Sequence, residues 1–126
     1  MRSIIHSNQA PAAVGPYSQG VCVGDLIFTA GQIPLDPTTG KLIEGCFEEQ
    51  VMQVLHNLSG VLTAGGGSLE TVAKFTVFVT DLNNFNRLNA VFAKYFDHEP
   101  PARSAVEVSA LPLGAEVEIE AIGVRA

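Results

Sequence analysis

Pro101-Ala102-Arg103-Ser104-Ala105-Val106-Glu107-Val108, followed by Val117-Glu118-Ile119-Glu120-Ala121-Ile122, reads as two closing strands of a sheet, at about 102 to 108 and 115 to 124, with an arginine set inside one and a glutamate inside the next. A cation within an apolar strand must find an anion or stay partly wet, because an unpaired buried charge costs several kcal/mol. Arg103 therefore wants a carboxylate. The residues alone leave two sources open: a structural ion pair with Glu118 or Glu120, or the acid group of a ligand.

Working back toward the N-terminus, Pro100 and Pro101 stop a helix whose face is Phe85, Leu88, Val91, Phe92, Tyr95 and Phe96, with Asp81 to Asn84 available as its cap. Val72 to Thr80 is β-branched and aromatic, hence a strand. From Phe47 to Ala64 the apolar positions Val51, Val54, Leu55, Leu58, Val61 and Leu62 recur at spacings of three and four, which predicts a helix of about five turns ended by Gly65-Gly66-Gly67. Pro34 to Glu44 carries turn residues throughout and is expected as an exposed loop. Gly20 to Val23 and Leu26 to Ala30, split by Gly24-Asp25, predict a hairpin. Residues 1 to 18 read as a short edge strand and a loop stiffened by Pro11 and Pro16.

The order is ββαβαββ, an α/β (α+β) domain with a mixed sheet of five to six strands and two helices on one face. Two helices cover one side of such a sheet, yet Leu26, Ile27 and Phe28, and Phe75, Val77, Phe78 and Val79, offer apolar residues to both. The bare face is expected to be buried by other copies of the chain.

A length of 126 residues fits one domain, 1–126. The net charge of −6 argues against nucleic-acid binding, which draws its affinity from clustered cations. No apolar run is long enough to span a bilayer, and Met1 to His6 is not followed by the apolar core of a leader. Cys22 and Cys46 form no framework, which suits a reducing compartment, so a cytoplasmic protein without membrane partners is expected. His6, His56 and His98 lack metal-ligand spacing, and Gly65-Gly66-Gly67 lacks the ending of a phosphate loop; no metal and no cofactor is expected.

Four motifs in order, Gly15-Pro16-Tyr17-Ser18-Gln19-Gly20, Phe28-Thr29-Ala30-Gly31-Gln32-Ile33-Pro34, Val77-Phe78-Val79-Thr80-Asp81-Leu82 and the closing strands quoted above, resemble the RidA family, also called YjgF or reactive intermediate imine deaminases. The resemblance implies a chorismate-mutase-like subunit in a homotrimer, with ligand sites in clefts between subunits. It implies that Arg103 holds a substrate carboxylate, a task that suits the planar two-pronged guanidinium. By the same match Glu118 orients or deprotonates water, Tyr17 places its hydroxyl at the cleft, Gly31 lines the pocket, and Asn89 stands at its edge. The backbone carbonyl near Ala105 would accept from the imine nitrogen.

Each of these residues also has a plainer reading. Glu116, Glu118 and Glu120, at spacing two, could form one solvated strand face, and Tyr17 could simply pack. Two departures stand out: many family members carry Cys in place of Ala105 and Ser in place of Ala30, so a Cys nucleophile at position 105 is excluded and the pocket is slightly more apolar. The function so implied is hydrolysis of 2-iminopropanoate and 2-iminobutanoate, derived from 2-aminoacrylate and 2-aminocrotonate, to 2-oxo acids and ammonia. The alternatives are a non-catalytic regulatory binder of 2-oxo acids and, on the family's older labels, a ribonuclease or translation inhibitor.

Overall fold

In the computed structural model, which describes residues 1–126, the chain forms β1 (Arg2–Ile5), β2 (Gly20–Val23), β3 (Leu26–Thr29), α1 (Phe47–Ala64), β4 (Val72–Val79), α2 (Phe85–Tyr95), β5 (Ala102–Glu107) and β6 (Val117–Val124). The six strands make one mixed sheet in the order β1-β2-β3-β6-β4-β5. Only β4 and β5 run parallel. The order ββαβαββ is thus one strand short: the N-terminal edge strand is β1, paired along its full length with β2.

Helix α1 has the bounds its periodicity predicts. Val51, Val54, Leu55, Leu58, Val61 and Leu62 are all buried, and they join β3, β4 and β6 in the core. Gly65 and Gly66 return N–H groups to the last-turn carbonyls, and Gly66 takes φ +95°, which favours glycine. In the β2–β3 hairpin, Gly24 supplies the turn's positive φ, +58°.

Helix α2 buries a narrower stripe than expected. Leu88, Val91 and Phe92 are buried, whereas Phe85 and Tyr95 stay exposed at the two ends. Asp81 caps a short 3-10 turn before it by accepting from Asn83 N–H at 2.9 Å, and the helix begins at Phe85. Phe75 of β4 meets Phe92 edge to face, with ring centroids 5.5 Å apart. Across the two helices, Glu48 takes Nε and Nη2 of Arg87, which lies over the Phe47 ring; the bond to Arg87 holds the Glu48 carboxyl down at about 2.

Pro34 and Leu35, expected in an exposed loop, are buried. Asn57 on α1, fully buried, donates to the carbonyls of Ile33 and Leu35 at 3.3 and 2.9 Å and draws this segment inward. The remainder of the loop is exposed at Thr38 to Lys41, where Asp36 Oδ1 accepts from Thr38 N–H.

Both helices lie on one face of the sheet. Along β6, Val117, Ile119, Ala121 and Gly123 are buried beneath them, and the even-numbered residues face the other way. That other face carries Ile4, Val23, Leu26, Phe28, Val106 and Val124, each exposed. Cross-strand pairing puts Val23 beside Leu26 and Leu26 beside Val124, so the apolar residues are contiguous across β2, β3 and β6.

Candidate active site

Strand β6 leaves the β3 pairing after Phe28–Ile122, and Gln32 rejoins it by reciprocal backbone hydrogen bonds to Ile119 at 2.9 and 3.0 Å. The gap between these contacts opens a cavity of about 420 Å³. Its walls are Pro11, Ala12, Ala13 and Val14 of the N-terminal loop, Ile33 and Leu35, and Pro112 and Leu113; Tyr17, Gly31 and Glu118 also line it. Three of the residues singled out from the sequence therefore converge.

Glu118 is half-buried on the face away from the helices, since it pairs with Phe78 rather than with a core position of β4. Burial, and secondarily the charge of Glu120, raises its pKa above the ordinary carboxylate value. Gly31 explains how the carboxyl fits: a Cβ at that position would collide with the Glu118 carboxyl group. Here the missing side chain makes room for the catalytic candidate itself. Tyr17 holds its ring through a tight loop, in which its hydroxyl accepts from Val14 N–H at 3.2 Å and its own N–H donates to Gly15 at 2.9 Å.

Arg103 lies elsewhere. It pairs with Phe75, on the helix side of the sheet, and reaches α2. Nη2 donates to Asn89 Oδ1 at 2.7 Å, and the guanidinium sits over Phe92 and Phe85, 4.9 and 5.4 Å from their centroids. No carboxylate lies within ion-pair distance, so the structural pairing with Glu118 or Glu120 is not formed. Burial accordingly lowers its pKa from the usual value. Asn89, Phe92, Ala93, Phe96, Pro100, Pro101 and Arg103 line a second, open cavity of about 500 Å³. Arg103 and Asn89 thus form one half of the predicted constellation, and Tyr17, Gly31 and Glu118 the other.

Ala105 lines neither cavity; its side chain rests on the core beside Val77. Its main chain is another matter. β5 is the outer strand, and Val108 N–H bonds Val79. Backbone groups alternate along a strand, so Ser104 and Val106 turn toward β4 while Arg103 and Ala105 turn their N–H and C=O to the free edge.

Glu116 departs from the expected common face. It precedes β6 and accepts from Gln50 Nε2 of α1 at 2.7 Å, so it belongs to the helix side, while Glu120 remains exposed beside Thr76. Sequence reasoning also missed three buried carboxamides, Gln19 and Gln32, which line the cavity, and Asn57, which holds its wall residues Ile33 and Leu35; their signal is a polar residue among apolar or glycine neighbours. No three His, Cys, Asp or Glu side chains gather to hold a metal, and no helix is long and apolar enough to cross a membrane.

The family described as Endoribonuclease L-PSP matches residues 7–125. A RutC family protein of Pyrococcus horikoshii is 46% identical over 99% of both chains. A 2-iminobutanoate/2-iminopropanoate deaminase of Mus musculus is 45% identical over 99% of this chain and 93% of that one. The crystal structure of E. coli TdcF with bound serine superposes with a TM-score of 0.93 at 42% identity, over 98% of this chain and 99% of that one. The chain therefore belongs to the Endoribonuclease L-PSP family, the RidA/YjgF family that its four motifs resemble.

Proposed function

We propose that the chain is a C=N hydrolase, a deaminase that converts 2-iminopropanoate and 2-iminobutanoate to the 2-oxo acids and ammonia. One observation carries this reading: a carboxyl with a raised pKa, Glu118, lines the same cavity as Tyr17, and that cavity is otherwise mostly apolar. A general base working near neutral pH needs such a raised pKa. Glu118 takes a proton from water as the water oxygen attacks the imine carbon. The proton then passes to nitrogen, and the carbinolamine collapses to the 2-oxo acid and ammonia. Arg103, free of any protein carboxylate, holds the substrate acid, and the outward carbonyl of Ala105 accepts from the imine N–H. Imines already hydrolyse in water, so orientation and proton transfer supply enough.

Arg103 and Glu118 stand on opposite faces of one sheet, so a single chain does not bring them to one substrate. The reading therefore includes a homotrimer in which the apolar sheet face is covered and each site takes Arg103 and Asn89 from one subunit and Glu118, Tyr17 and Gly31 from its neighbour. The bound serine named for TdcF fits a small amino-acid-like ligand. Two free cysteines fit the cytoplasm. RNA is not expected as a partner at a net charge of −6.

The test is release of 2-oxo acid and ammonia when the protein is added to a dehydratase that generates 2-aminoacrylate. Accelerated release is expected. Binding of 2-oxo acids without acceleration would replace the enzyme by a regulatory binder.

A further inference from the structure

We propose that Gln19 is a positioning residue whose buried carboxamide fixes the Tyr17-bearing wall of the cavity against the wall that carries Glu118. The proposal deepens the reading of this cavity as the imine site and rests on it for its catalytic consequence.

The loop from Ser7 to Ser18 has little to hold it. Ala12, Val14, Gly15, Pro16 and Tyr17 are exposed, and the internal bonds of Tyr17 tie it only to Val14 and Gly15. The loop is anchored at Ala10, which enters the core, and through Gln19, which is 4% exposed. Gln19 Oε1 accepts from Ser7 N–H at 2.7 Å. Its Nε2 donates to Pro11 C=O at 2.7 Å and to Ser7 C=O at 3.1 Å, with Ala10 C=O at 3.3 Å sharing one hydrogen. One side chain thus satisfies four main-chain groups at the root of the loop.

The main chain of the same residue faces the other wall. Gln19 C=O accepts from Ala30 N–H at 2.8 Å, and Ala30 precedes Gly31, against which the Glu118 carboxyl rests. The spacing between Tyr17 and Glu118 therefore runs through Gln19. Losing the carboxamide would strand buried carbonyls and release the loop root, leaving Tyr17 on a tether whose remaining contacts are local.

The chain has two tyrosines and no tryptophan, so in a Tyr95→Phe background Tyr17 is the only strong emitter, and its fluorescence reports the loop without any assay of activity. Gln19→Ala and Gln19→Glu are expected to raise acrylamide quenching of Tyr17 about twofold or more. In Gln19→Glu an oxygen faces three carbonyls, so the near-isosteric change should release the loop too. In imine hydrolysis kcat should fall about 10- to 100-fold with KM little changed, since Arg103 still holds the acid. Gln19→Asn, which keeps the donors on a shorter stem, should recover part of both, and it substitutes for Gln19→Ala should that variant not fold. Val91→Ala, a core change in α2, serves as the control for general destabilisation and should leave quenching unchanged.

Unchanged quenching in folded Gln19→Ala and Gln19→Glu overturns the proposal, as does an equal rise in Val91→Ala. If the parent fails to hydrolyse imines, the functional reading falls, while the quenching comparison still decides the role of Gln19.

Discussion

Arg103 and Glu118 occupy opposite faces of the same sheet, with β4 between their strands: the first stands beside Phe75 on the helix side and the second beside Phe78 on the open side. Positions three apart on a strand point in opposite directions. The proposed reading, in which one residue grips the substrate and the other helps the attack, therefore calls for a site shared between two chains.

Subunit mixing tests this directly. Arg103→Ala and Glu118→Gln are each expected to hydrolyse imines at least about a hundredfold more slowly than the parent. Co-assembled at equal amounts, the two should regain about a quarter of parental activity, because random cyclic assembly places an intact Arg103 beside a neighbour's intact Glu118 at that frequency. Steady-state assays on the mixture read the outcome, and no recovery would mean that Arg103 and Glu118 do not combine across a subunit boundary, which overturns the shared site.

Glu118 also links activity, stability and pH. Its folded pKa is raised, so the neutral form is favoured by folding: that contribution is complete below the unfolded value and is lost as pH rises through the folded one. Two results follow. The acid limb of kcat/KM should lie above the ordinary carboxylate range, and thermal unfolding should find Glu118→Gln at least as stable as the parent at pH 7, with the difference vanishing near pH 4.

Gly31→Ala should act through Glu118 rather than through the fold. The added Cβ meets the movable end of a side chain, so the melting temperature should change little while the carboxyl is displaced. A loss of about tenfold or more in kcat/KM is expected, checked by kinetics alongside thermal unfolding followed by circular dichroism.

The open sheet face should govern assembly. Light scattering of the parent is expected to give three times 13.3 kDa. Phe28→Glu or Val124→Glu puts a charge among the exposed apolar residues and should shift the mass toward 13.3 kDa.

Sequence revealed most where a pattern was long. The Phe47 to Ala64 stripe gave helix bounds correct to the residue because its buried positions repeat over five turns, whereas the short β1 fell out of the element order. Turn residues at Pro34 misled because a distant partner, Asn57, overrides local polarity. In the site, Tyr17, Gly31 and Glu118, three of the residues singled out from the sequence, line one cavity. The direction in which Arg103 points was not legible, since alternation along β5 has no apolar code: its exposure pattern lacks a clean buried face. Nor was the work of Gln19, whose four bonds reach groups that sequence spacing cannot bring together.

The guanidinium of Arg103 lies over the Phe92 and Phe85 rings and donates to Asn89 Oδ1, contacts supplied by the fold itself. A long, flexible side chain normally surrenders its rotamer freedom when it captures an acid, which weakens capture. On the proposed reading, part of that loss occurs during folding, and a carboxylate would meet a side chain whose direction Asn89 and the two rings already set. Selection among acids should then follow shape, with little adjustment of the receptor to fit a poor match.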